Sequence, residues 1–142
     1  MSAEKESMRK KAVEYAPCWI GTPFNNKGGP GFGCHGFVIE VLKGCGLIRR
    51  GENLTPDNIE PMLSLRHLCH RFKDKKVNVG RPGCLIFWFT DPSLKVPEHV
   101  DIFIDNEYVV GMSGGKETQL CIKMNRIGYK RTPHEIVDPF MD

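Results

Sequence analysis

Hydrophobic residues follow two different periods along the chain, and the period changes near Gly80. Before this glycine, apolar residues recur at the spacing of buried helix faces, which predicts helices over 2–16, 33–43 and 56–72. After it, apolar runs and apolar–polar alternation predict extended segments over 84–89, 99–104, 108–112, 119–124 and 125–131. Helices followed by an antiparallel meander indicate an α+β fold, with the N-terminal helices packed on one face of an antiparallel β-sheet.

A glycine-rich loop precedes the second predicted helix and delivers Cys34 to the start of that helix. The first N–H groups of a helix carry a partial positive charge, which favours a thiolate over a thiol. Cys34 is therefore a candidate nucleophile. A cysteine nucleophile needs a base, and His99, at the start of a predicted strand, is the candidate base.

The composition is that of an ordinary globular domain. A chain of 142 residues with a net charge of +3 fits one domain over 1–142, with a single core. No apolar run reaches the roughly 18 to 20 residues that span a bilayer, so we expect no membrane span. The N-terminal segment is charged and unlike a signal peptide, which predicts synthesis and folding in the cytoplasm. A phage component would leave later by another route.

The positive charge is unevenly distributed. Residues 66–81 contain six basic side chains and one acidic side chain, Asp74. The simpler interpretation is a solvated loop between two core elements, and the alternative is a surface that attracts an anionic polymer. We predict no nucleic-acid partner, because this segment lacks interleaved aromatic residues and a nucleic-acid-binding motif.

The six cysteines are not spaced as a small disulfide scaffold. The motif His67-Leu68-Cys69-His70 contains three potential zinc ligands, two histidines and a cysteine, in four positions. No C-x2-C pair completes a tetrahedral set, so we predict no metal and no cofactor.

Several motifs in order carry a resemblance to a known family. They read W-I-G-T-P-F, a glycine loop, G-C-H-G-F-V, R-P-G-C-L-I-F-W and H-V-D-I-F-I-D-N-E-Y-V-V-G-M-S-G-G. Together they resemble the NlpC/P60 family of papain-like cysteine peptidases. The ending R-I-G-Y-K-R-T-P-H-E-I-V-D-P-F is similar to the phage-associated branch, and the likeness extends over 3–140.

The resemblance implies a papain-like core in which a helix-tip cysteine faces a strand histidine. It places the nucleophile on Cys34 and the base on His99. It also implies hydrolysis of amide bonds in peptidoglycan stem peptides, typically beside D-γ-glutamyl or meso-diaminopimelate residues. The expected partners are the peptidoglycan peptide and, for a phage-associated protein, a phage tail or host protein. Such a protein would be virion-associated or delivered to the cell wall.

The chain departs from the family pattern at four polar positions. Gly33 stands where the family has an aspartate before the nucleophile, and Cys84 replaces the aspartate of P-G-D-L. Phe24 replaces a tyrosine that would help hold the oxyanion. The third polar residue, which would orient the histidine, falls at Gly111. The alternative function is therefore a catalytically weak or inactive cell-wall-binding relative.

Strand geometry narrows the search for an orienting residue. In a hairpin centred near Asn106, an odd register brings Gly111 or Ser113 toward His99. Only Ser113 of this pair has a hydrogen-bonding side chain, so it is the candidate orienting residue. Asp101 lies roughly 6 to 7 Å along the same strand, and we expect no direct contact with the ring.

Four residues are candidates for the substrate pocket: Phe24, His35, Trp88 and Gly111. Successive helical residues diverge by about 100°, so His35 is expected to point away from Cys34 or to rim the pocket. Trp88 is most simply a core residue, with a wall of the substrate groove as the alternative.

Overall fold

The computed structural model describes residues 2–23, 34–52, 61–113 and 121–142, with the side chains of 61–64 excepted. Its helices are α1 (Ala3–Tyr15), a 3₁₀ turn (Ala16–Trp19), α2 (Cys34–Gly44) and α3 (Pro61–Arg71). Its strands are β1 (Lys76–Val77), β2 (Leu85–Phe89), β3 (Pro97–Phe103), β4 (Tyr108–Ser113), β5 (Cys121–Arg126) and β6 (His134–Val137).

The six strands form one antiparallel sheet in the order β1-β6-β2-β3-β4-β5. Strands β2 to β5 follow one another as a meander, and β6 returns to pair with the other edge of β2. Every residue of β2 is buried, as expected for a strand with neighbours on both edges. The predicted α+β fold, with helices packed on an antiparallel sheet, is confirmed.

Hydrophobic clusters cover both faces of the sheet, whereas the composition predicted a single core. The helices pack on one face, where Phe37 and Leu42 of α2 belong to the same buried cluster as Phe87 of β2. The opposite face holds a smaller cluster that includes Trp88 and Phe103. This second cluster forms because β2 is apolar and buried on both of its faces, and Phe103 of β3 packs with it.

One predicted strand is wrong, and two short strands were not predicted. Residues 125–131 are not a separate strand, because β5 ends at Arg126 and a turn at Gly128, with a φ of 94°, follows it. The sequence analysis also missed β1 and β6, which are short and pair with each other. The predicted start of the third helix, 56–60, lies outside the described residues. Among those residues, no helix combines the length and apolarity needed to cross a membrane.

Candidate active site

Helix α2 spans Cys34–Gly44, and Cys34 is the first described residue after the glycine-rich loop. Its apolar face buries Phe37, Val38, Val41 and Leu42, and the helix packs against β3 and β4. This packing brings the tip of α2 to the strand that carries His99. Local sequence therefore determines both the helix start and the surface that docks it on the sheet.

The side chains of His99 and His35 lie close enough to the Cys34 thiol to act on its pKa. Burial alone would raise the pKa of Cys34. Hydrogen-bonding and electrostatic interactions with His35 and His99 outweigh burial and lower this pKa to about 6. The fold thus brings together Cys34 and His99, which are 65 residues apart in the sequence. His35 contacts the thiol and does not point away from it.

Asp101 lies directly beside His99, although the sequence analysis expected no contact. The distance from His99 Nε2 to Asp101 Oδ1 is 2.8 Å, and Asp101 is 1% exposed. The expectation failed because strand rise gives the distance between backbones, whereas two side chains on one face can lean toward each other. Burial lowers the pKa of His99, but the Asp101 carboxylate and Cys34 raise it to about 10.

Two further donors surround the Asp101 carboxylate. Trp88 Nε1–H donates to Oδ2 at 3.1 Å, and the Tyr129 hydroxyl donates to the same oxygen at 2.6 Å. The Tyr129 oxygen also lies 3.0 Å from His99 Nε2. Burial, followed by the Asp101 charge, raises the pKa of Tyr129, so this hydroxyl stays protonated. Since Asp101 and Tyr129 occupy the Nε2 side of the ring, Nδ1 is left for Cys34.

Gly111 leaves room for the Asp101 carboxylate. Strands β3 and β4 pair at Ile102↔Val110, and one step further along this register Gly111 comes opposite Asp101. A Cβ on Gly111 would collide with Asp101 Oδ1 and lie 3.0 Å from its Cγ. The position where the resemblance expects a polar side chain therefore has none, and a carboxylate from the neighbouring strand occupies that space.

Ser113 does not orient the histidine in this structure. Its hydroxyl accepts a hydrogen bond from Asn125 Nδ2 at 3.1 Å. Strands β3 and β4 pair in the odd register that places Ser113 opposite His99. Within the described part of the chain, however, the side chains that interact with His99 are those of Cys34, Asp101 and Tyr129. Asp101, and not Ser113, therefore bonds to the His99 ring.

The remaining pocket candidates divide into three cases. Trp88 lies in the second core cluster and supports Asp101, packing edge-on against Tyr129 at 5.9 Å between ring centroids. Gly111 provides space, as described above. Phe24 lies outside the described residues, as does Gly33. The described residues contain no cluster of three His, Cys, Asp or Glu side chains that could hold a metal ion.

Tyr129 is a site residue that the sequence analysis missed. It was assigned to a predicted strand over 125–131, where its partner could not be inferred. The turn after β5 brings its hydroxyl back to the sheet face that carries His99. The available signal was the glycine at 128, which marks a turn and argues against a continuous strand.

Comparison with known proteins supports the fold. No protein-family model matches this chain, and no curated protein matches it. Among solved structures, an NlpC/P60 family protein from Bacillus cereus ATCC 10987 matches with a TM-score of 0.56 and 16% sequence identity. The match covers 84% of this chain and 35% of that protein, so this chain spans about a third of its length. The fold is therefore of the NlpC/P60 type.

Proposed function

We propose that this protein is a cysteine peptidase that hydrolyses amide bonds in peptidoglycan stem peptides. The observation that carries the proposal is the pairing of Cys34, at the tip of α2, with His99, each of which shifts the pKa of the other. The NlpC/P60 fold and the motif resemblance supply the substrate class. A thiolate beside an imidazolium held by a buried carboxylate is an arrangement suited to nucleophilic catalysis.

The pKa values favour an ion pair as the resting state. With the pKa of Cys34 at about 6 and that of His99 at about 10, the thiolate and imidazolium coexist between these two values. Below about 6 the nucleophile is protonated, and above about 10 the ring loses the proton that the leaving group needs. Activity is expected to be greatest between these limits.

Acylation starts with attack of the Cys34 thiolate on the carbonyl carbon of the amide. The C–N bond then breaks, and the His99 imidazolium gives its proton to the departing amine, leaving a thioester on Cys34. The first N–H groups of α2 have no partner within the helix and are available to stabilise the oxyanion.

Deacylation returns the site to its starting state. Neutral His99 takes a proton from water while the water oxygen attacks the thioester carbon. The C–S bond breaks, which releases the carboxylic acid and restores the thiolate. Asp101 and Tyr129 hold the ring from the Nε2 side through both steps, so they act as positioning residues.

The proposal is tested by release of new amine groups from purified peptidoglycan and soluble stem peptides. The wild-type chain is expected to release them, and the Cys34→Ala variant is expected to release none. Cys18→Ala is the matched control, because Cys18 is exposed and its thiol bonds only to the Glu14 carbonyl in the described structure. This control should keep wild-type activity. Equal activity of wild type and Cys34→Ala would contradict the proposal.

A cell-wall-binding protein without catalysis is the second candidate function. It is favoured by the departures from the family at Phe24, Gly33 and Gly111. In this case peptidoglycan would retain wild type and Cys34→Ala equally in a pull-down, and neither would release amines. Amine release by wild type alone would exclude it.

The C-terminal motif extends the proposal to a phage-associated setting. A protein of this kind would act on the wall from the virion or after delivery, with a tail or host protein as partner. Its presence in purified virions, detected by mass spectrometry of their proteins, is the corresponding test.

A further inference from the structure

A cavity outside the candidate active site lies between α3 and one end of the sheet. Its volume is about 540 Å³, within the roughly 300–1,000 Å³ range of small-molecule sites. Its floor is formed by buried apolar side chains of Phe89, Pro97 and Val137. None of its lining residues belongs to the hydrogen-bonded network around His99.

Cationic side chains form the rim of this cavity. They are Arg66, Lys73, Lys76 and Lys95; the lining also includes His70 and one acidic residue, Glu135. Lys76 pairs with Glu135 at 3.2 Å. Arg66, Lys73 and Lys95 are exposed and have no ion-pair partner among the described residues. Within the described ranges, three positive charges thus line the cavity without an ion-pair partner.

The loop that carries Lys95 is held in a strained conformation. Leu94, which also lines the cavity, has a φ of 57°, a left-handed conformation that is unfavourable for a leucine. The loop is fixed by Asp91, whose carboxylate accepts hydrogen bonds from the backbone N–H and the hydroxyl of Ser93. Backbone strain of this kind persists where surrounding structure enforces it, and ligand clamps are one such place.

We propose that this cavity binds a small organic phosphate with at least two negative charges. Its phosphate groups would contact Arg66, Lys73 and Lys95, and its uncharged part would lie on the apolar floor. A planar guanidinium and two mobile ammonium groups match phosphate oxygens in geometry and charge. The proposal is independent of the peptidase assignment, because the cavity and the thiol site share no residue.

The test is calorimetric titration of the full chain with inorganic tripolyphosphate at low salt. Saturable binding with one site per chain is expected. The Arg66→Glu/Lys95→Glu variant should bind at least about tenfold more weakly, because it loses two charge-assisted contacts. Lys10→Glu/Arg131→Glu is the matched control, with the same charge change at exposed positions outside the described cavities. It should weaken binding by less than about threefold.

A second measurement does not depend on the variants. Tripolyphosphate should protect Lys73 and Lys95 of the wild-type chain from acetylation, while Lys10 reacts at an unchanged rate. The proposal is overturned by absence of saturable binding, by equal loss in both double variants, or by equally tight binding of citrate. Binding to anionic phospholipid vesicles without binding of tripolyphosphate would also overturn it.

Discussion

Two buried carboxylates, Asp101 and Asp138, show how differently the same group can be used. Asp138 is 3% exposed and accepts two hydrogen bonds from Arg9 Nη2, at 2.9 and 2.7 Å. Arg9 also donates to the Pro82 carbonyl at 2.8 Å, and the Phe140 N–H donates to Asp138 at 3.0 Å. This pair ties α1 to the segment before β2 and to the C-terminus.

Asp101 is equally buried, but no lysine or arginine of the described segments bonds to it. Its partners are the titratable ring of His99 and the neutral donors of Trp88 and Tyr129. A guanidinium stays charged at any physiological pH, whereas an imidazolium persists only while its pKa is held high. We therefore expect Asp138 to govern stability and Asp101 to govern the protonation state of the site.

Breaking the Arg9–Asp138 pair should have the largest effect on folding. Arg9→Met leaves a buried carboxylate unpaired, and the free energy of unfolding should fall by about 3–5 kcal/mol. Denaturant unfolding measures this change. Arg126→Met is the control, since the Arg126–Glu107 pair is exposed and should contribute at most about 1 kcal/mol. Similar losses in the two variants would contradict a special role for the buried pair.

Asp101→Asn should separate catalysis from stability. Without the carboxylate, the pKa of His99 falls and that of Cys34 rises, because each depends on the charge of the other. We expect turnover to fall by about 10²–10³, less than the roughly 10⁴ lost in a serine triad, since a thiolate depends less on its base.

The measurements for Asp101→Asn are kcat and the acidic limb of the pH profile, which should move to higher pH. Asp105→Asn serves as the control, because Asp105 is an exposed turn residue that bonds the N–H groups of Glu107 and Tyr108. A pH profile that is the same for wild type and Asp101→Asn would refute the positioning role.

Gly111→Ala tests whether the space beside Asp101 is needed. The added Cβ collides with the carboxylate, so the contact with His99 should loosen and turnover should fall by about 10 to 100-fold, a smaller loss than from removing the charge. The readout is a double-mutant cycle with Asp101→Asn. If Gly111 acts through Asp101, the double variant should be no slower than Asp101→Asn alone. Additive losses would show an independent effect.

Tyr129→Phe should have the smallest effect. The variant removes one of three donors to Asp101, while Trp88 and His99 still bond the carboxylate. Turnover should fall by less than about tenfold and stability by about 1 kcal/mol, both measured against Tyr108→Phe as the control. A loss as large as that of Asp101→Asn would mean that the hydroxyl, and not the carboxylate, holds the ring.

Local patterns allowed prediction of the parts of the site that depend on a single element. The glycine loop and the apolar face after Cys34 indicated a helix tip, and alternation after His99 indicated a strand. The fold class followed from the same change of period at Gly80. The NlpC/P60 motifs agreed with the fold that the comparison supports.

The rest depends on contacts between distant segments. A contact between Asp101 and His99 was not predicted, because the spacing of the backbone along a strand does not show whether two side chains on the same face lean toward each other. Tyr129 was missed because a turn, and not a strand, sets its position. Strand β6 pairs with residues some fifty positions earlier in sequence, and its four residues carry too short a pattern to indicate that partner.

The pH dependence of Cys34 alkylation tests the central claim most directly. Iodoacetamide labelling of the wild-type chain, followed cysteine by cysteine with mass spectrometry, reports the thiolate fraction at each position. Cys69 is an internal reference, because burial raises its pKa to about 11. We predict a rise in Cys34 labelling centred at about pH 6. A midpoint near the ordinary thiol value of about 8.5 would contradict the thiolate–imidazolium pair.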